Sequence, residues 1–217
     1  MLVTTMGLDW NPLARPRDGH EEEFIRLFRS LEQEAPVEND PRMARFHEIS
    51  QAPFELLGAP RVGIDAAADE WLRESLRESG RLDELEKARE GMNGFYVLDL
   101  LPPCDGFPVY SHYGAYEGLD RYSFRAKFLD DVEDVLGPEL YERAFRRMLA
   151  SDLEEYGHLL LQAARTFAES RGVTAVAEAA EAPEEVGSDE SRAHILFAAA
   201  RWCLYWAQRG HGLDPWF

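Results

Sequence analysis

The sequence predicts a mainly α-helical protein: a single domain over residues 1–217, with a bundle-like core around a hydrophobic C-terminal helix and at most a small two- or three-stranded β element. Three observations carry this. Apolar residues recur at helical spacing in most of the segments that Gly and Pro delimit. The stretch 190–209 is apolar nearly all round, as a helix buried on every side must be. Only residues 95–100 read clearly as a strand. A chain of 217 residues is long enough to bury a continuous core, and 45% apolar with 12% aromatic residues fills one.

The elements follow in order. Asp18-Gly19-His20-Glu21 has capping-box spacing, and Phe24, Leu27, Phe28 and Leu31 follow on one face, so a helix is predicted over 19–34 with Pro36 as its stop. Asp40-Pro41 is an N-cap followed by Pro at the first helical position, which starts a short helix to about Ser50. Two Pro and two Gly make 53–63 a loop. Asp65 opens a helix carrying Trp71, Leu72 and Leu76, with Gly80 just past its end, and a further turn of helix reaches Gly91. Phe95–Leu100 is the strand, with Pro108–Tyr110 and Leu2–Thr5 as its candidate partners.

Beyond the Pro- and Gly-punctuated loop the pattern is helical again. Phe124, Phe128, Val132 and Val135 line a helix over 122–136, Gly137-Pro138 restarts it, and Ser151-Asp152 caps a long helix to Gly172. The Ala/Glu-rich stretch 175–187 with Pro183 reads as an exposed, mobile connection. Ser188-Asp189 then caps the last helix, closed by Gly210. The tripeptide Gly-Leu-Asp occurs at Gly7–Asp9, Gly118–Asp120 and Gly212–Asp214, each followed by an aromatic within two residues; Gly and Asp together predict three turns.

Charge narrows the function. With 23 basic and 41 acidic residues the net charge is −18. Such a field repels nucleic-acid phosphates and anionic membranes, and speeds encounter with a basic partner. The basic residues are almost all Arg, Lys87 and Lys127 being the exceptions, which suits bidentate pairing with the abundant carboxylates. Met1–Trp10 lacks the basic start and apolar core of a secretory signal, and no apolar run reaches a membrane span. Two cysteines, Cys104 and Cys203, without such a signal place the chain in a reducing, cytoplasmic setting with no structural disulfide.

The candidate ligand-binding residues are Asp99, Cys104, Asp105, Tyr110, His112, Tyr116 and Arg201. The first six come from a loop, 99–122, that mixes carboxylates, a thiol, an imidazole and stacking aromatics between Pro and Gly. Cys104 and His112 are a conceivable nucleophile and base, although no positive neighbour flanks the cysteine to favour its thiolate. Arg201 interrupts the most apolar helix, so its guanidinium needs an internal Asp or Glu, or else an anionic ligand. Glu155 and His158 share a helix face, as do Glu190 and His194, but no second Glu-x-x-His completes a di-metal bundle. Asp130, Asp131, Glu133 and Asp134 fall on the solvated faces of their helix. Phosphate loops, dinucleotide fingerprints, Gly-x-Ser-x-Gly, His-Glu-x-x-His and paired Cys-x-x-Cys are absent.

The leading expectation is therefore a non-enzymatic acidic interaction protein that binds a protein partner with a basic surface, in the manner of an antitoxin or immunity protein, with no cofactor. Two alternatives stand beside it: a small-molecule binder or enzyme centred on the 99–122 loop, and a metal-binding helical bundle.

Overall fold

The computed structural model describes residues 7–111 and 122–216. In chain order the elements are β1 (Asp9–Leu13), β2 (Arg15–Pro16), α1 (Glu21–Gln33), α2 (Pro41–Glu48), β3 (Ser50–Gln51), α3 (Pro53–Leu57), α4 (Ala66–Glu78), α5 (Leu85–Gly91), α6 (Glu133–Arg143, broken at Gly137), α7 (Ala150–Arg171), α8 (Asp189–Ala207) and β4 (Gly212–Trp216). Short 3-10 turns add Leu82–Glu84, Leu98–Leu100, Ala126–Val132 and Thr174–Glu178. The fold is mainly α with two small two-stranded sheets among the described residues, as the sequence predicts. No helix there is long and apolar enough to cross a membrane.

The described chain forms two compact units. The larger comprises the chain up to Pro53, residues 105–111, and everything from Tyr122 onward; the smaller comprises 54–104.

The larger unit is organised by α7 and α8, which lie against each other and run antiparallel. Gly157, early in α7, faces Cys203 and Leu204, late in α8, while Arg171 and Asp189 form an ion pair at the opposite ends. A Cβ at Gly157 would sit 3.0 Å from the Cys203 and Leu204 side chains, so the missing side chain lets the helices close. Ser188 caps α8 by accepting from Ser191 N at 3.1 Å. As its composition predicts, α8 is buried nearly all round: Ile195, Leu196, Ala199, Trp202, Cys203 and Trp206 are all almost fully enclosed.

Against this pair sits a small antiparallel ladder of β1 and β4, in which Trp10 faces Pro215 and Pro12 faces Leu213. Proline cannot donate to a ladder. Both prolines occupy positions where the opposite residue turns its N–H and C=O away, to the other side. Leu213 exchanges hydrogen bonds with Met148 (2.9 and 3.0 Å), and Trp10 exchanges them with Phe124 (2.7 and 3.0 Å). The backbone groups of the residues that face the two prolines are thereby used. Two of the three Gly-Leu-Asp tripeptides thus enter paired strands and are not turns: Asp9 begins β1, and Gly212–Asp214 lies within β4. The third, Gly118–Asp120, lies outside the described residues, as does the Leu2–Thr5 strand candidate.

Trp10 is wholly buried where these elements meet, its indole N–H donating to Ala144 O at 2.9 Å. Phe124, Trp202 and Tyr156 ring it at centroid distances of 5.1, 5.7 and 5.9 Å. A satellite cluster of Leu13, Phe24, Phe28, Leu31, Phe46 and Ile49 fastens α1 and α2, with Phe24 stacked on Phe46. Asp40 caps α2 as expected, accepting from Arg42 N at 2.8 Å, whereas α1 starts from His20 without a side-chain cap. The predicted 122–136 helix is an extended bridge at Phe124 followed by a 3-10 turn, because Trp10 has claimed the Phe124 backbone.

In the smaller unit, α4 and α5 enclose Val62, Ala68, Leu72, Leu76 and Val97. The predicted strand 95–100 does not form. Phe95 O accepts from Val62 N and Val97 N donates to Pro60 O, leaving a single bridge at Tyr96, after which Leu98–Leu100 curls into a 3-10 turn. The facing residue Pro60 has no N–H to continue the ladder. The 53–63 loop also holds one short helix, α3.

A Cβ at Gly212 would collide with the carbonyl oxygen of Met148, which is backbone and cannot swing aside. Gly212→Ala is expected to cost roughly 1–3 kcal/mol or more of stability, read as a lowered midpoint in urea; an unchanged midpoint would show that the β4–Met148 contact is not close in solution.

Candidate functional site

The residues singled out by sequence divide between the two units. Asp99 and Cys104 belong to the smaller one, both half-buried, Cys104 as a free thiol. Asp105, Tyr110 and Arg201 belong to the larger one, where Asp105 is exposed and Tyr110 is buried. His112 and Tyr116 lie outside the described residues.

Tyr110 meets α8, the helix that carries Arg201, at His194. Tyr110 Oη lies 2.9 Å from His194 Nδ1, and His194 Nε2 lies 3.1 Å from Ala179 O. A carbonyl only accepts, so Nε2 carries the proton, Nδ1 is the acceptor, and the Tyr110 hydroxyl donates to it. Burial pushes the Tyr110 phenol up to about 12, the nearby Arg201 charge pulling the other way. Burial also lowers His194 below the ordinary imidazole range; its bond to Ala179 opposes this and the Arg201 charge adds to it. The pair is therefore neutral, a fixed hydrogen-bond relay beside a cation. His194 and Arg201 stand seven apart on one helix, a spacing that shares a face and was readable in advance.

Arg201 differs from expectation. It is half-buried, and its guanidinium donates to Ala177 O at 2.7 Å instead of holding an internal carboxylate. That bond and the one from His194 to Ala179 tie the start of the 175–187 connection to α8. An arginine in an otherwise enclosed helix escapes the cost of a buried charge here by reaching a backbone acceptor at the edge of the core.

The metal-bundle expectation is not supported by this geometry. Among the described residues no three His, Cys, Asp or Glu side chains gather as a metal ion would require. Glu155 pairs with Arg143 at 3.0 Å, and both nitrogens of His194 already have partners.

Acidic groups do converge. Arg192, at the start of α8, donates to Asp131 O at 3.0 Å and to the Asp134 carboxylate. It thereby joins the acidic 3-10 turn and the start of α6 (Asp130, Asp131, Glu133, Asp134) to the head of α8, which follows directly on Glu181, Glu184 and Glu185. Asp131, Glu133, Glu185 and Glu190 are exposed there. Arg192 also lies over the Phe167 ring, 5.0 Å from its centroid, which fixes the cation that bridges the two runs. The acids fall on solvated faces as predicted; that two runs distant in sequence share one end of the unit was not readable from either run alone.

A second buried imidazole governs acid stability. His211 is fully enclosed, its Nδ1–H donating to Leu13 O at 2.9 Å, and burial lowers it to about 4. Between about pH 6.5 and 4 the unfolded chain binds a proton at His211 that the folded chain does not, so stability falls as pH drops through that window, by about 3 kcal/mol at its lower end, and is flat above it. Glu23, held down to about 2 by Arg45, acts only below its ordinary 4.5. Urea midpoints measured from pH 4 to 7.5 are expected to show the upper leg in the native chain and to lose most of it in His211→Asn, which keeps a donor for Leu13 O.

Set against protein families, characterised proteins and solved structures, the chain matches no family model, no curated protein and no solved structure.

Proposed function

We propose that this is a non-enzymatic interaction protein whose acidic end docks on a basic surface of a protein partner, a role of the antitoxin or immunity kind. The observation that carries the reading is the junction at Arg192, which places two acidic runs at one end of the larger unit. The remaining charge arrangement supports it. Arg45, Arg81, Arg143 and Arg147 each hold carboxylates of the same chain, so much of the positive charge is paired internally and a surplus of acid faces solvent. Exposed Val186, 82% accessible within the acidic stretch, offers an apolar contact at the centre of such a surface. A field of −18 raises the rate of encounter with a cationic partner, and salt screens it.

The test is comparative capture of partner proteins at about 0.05 and 0.5 M salt. The native chain is set beside two variants, each reversing four exposed acids. One carries Asp131→Lys, Glu133→Lys, Glu185→Lys and Glu190→Lys; the other carries Glu22→Lys, Glu38→Lys, Glu78→Lys and Glu86→Lys. The expected result is a partner retained at low salt, released at high salt, lost by the first variant and kept by the second. Retention independent of salt, or equal loss in both variants, would remove the proposal.

A further inference from the structure

Where the 3-10 turn Thr174–Glu178 folds back over α7 and α8, it closes a cleft of about 360 Å³ within the larger unit. That is the small end of the roughly 300–1,000 Å³ typical of ligand sites, too small for a nucleotide cofactor. Its apolar wall comes from Leu161 of α7 and Phe197 of α8, the latter almost fully buried. One helical turn further along each helix stand Arg165 and Arg201. The remaining charges are Glu169 on α7 and Glu178 on the turn.

Two features of this cleft suit a ligand. Many arginines of this acidic chain hold carboxylates, as Arg171 and Arg192 do on the same two helices, whereas Arg15 and Arg209 bond to an amide and to backbone oxygens. Arg165 and Arg201 hold none among the described residues, although two glutamates line the same cleft. Arg201 is also fixed in place: its bond to Ala177 O, at 2.7 Å, secures one nitrogen and leaves the other N–H groups to offer. A guanidinium held this way suits a carboxylate, which it grips through two parallel bonds.

The four charges of the lining sum to zero, and the chain as a whole carries −18. A free anion entering the cleft would be opposed by the far field of the protein. A zwitterion is not, and it can use both signs of the lining.

We propose that this cleft binds a free α-amino acid with an apolar side chain. Its carboxylate lies on Arg201 and Arg165, its ammonium group faces Glu169 and Glu178, and its side chain packs on Phe197 and Leu161. This site is separate from the acidic end and does not depend on it.

Calorimetric titration with L-leucine and L-phenylalanine tests it, with 3-phenylpropionate and phenethylamine as probes that each lack one charge. At least one amino acid is expected to bind, with each single-charge probe at least about tenfold weaker. Arg165→Ala, on an exposed side chain with no structural bond to lose, is expected to weaken binding by about tenfold or more while leaving the melting temperature of the unliganded protein unchanged. Arg201→Lys, which keeps the charge but not the fork, should weaken it similarly. Absence of heat with both amino acids up to about 10 mM, equal affinity for 3-phenylpropionate, or full affinity in Arg165→Ala would each overturn the proposal.

Discussion

The larger unit depends on the seating of one indole. Trp10 belongs to β1, hydrogen-bonds through its ring to the turn after α6, shares its backbone with Phe124, and fills the space between Trp202 of α8 and Tyr156 of α7. A side chain of this size contributes a large share of the apolar burial, and its one polar atom needs an acceptor if that burial is to be favourable. Ala144 O supplies it. The seat also explains the prolines. The ladder must turn its free edges toward Phe124 and Met148, and Pro12 and Pro215 forbid the alternative in which those bonds are made across β1 and β4.

How much of this was legible follows from what each residue can specify locally. Helices α2 and α8 start at the caps the sequence names, Asp40 and Ser188, and α7 ends at Gly172; α4 follows Asp65 without a side-chain cap bond, and α7 starts from Leu149, with the expected cap Ser151-Asp152 already inside the helix. The sheets were not legible. Pro12 and Pro215 argue against strands in any local reading, and their compatibility arises only from the register between segments at opposite ends of the chain. The predicted strand at 95–100 failed for the converse reason: its composition is right, but the residues facing it cannot continue a ladder. Local propensity cannot see a partner.

The candidate sites divide in the same way. Arg201 was singled out because a cation in an apolar helix demands an answer, and that demand was real; the answer, a backbone carbonyl on the 3-10 turn, lies in tertiary structure. His194 was considered beside Glu190, its neighbour in sequence, whereas its partners come from residues 110 and 179. The acidic runs were each read as solvated faces, and only Arg192 discloses that they share an end. The sequence names these charges, and the fold sets their partners.

The pairing of β1 with β4 joins Asp9 to Trp216, almost the full span of the described chain. Contacts so distant in sequence form late, because the closure entropy of the whole intervening chain must be overcome first. On the ribosome the aromatic seat of Trp10 stays open until α8 and β4 have emerged, while the local contacts of α4 and α5 are complete long before. β4 thus shuts the core from the far side of the sequence, and a chain truncated before it leaves the β1 edge beside Trp10 unpaired.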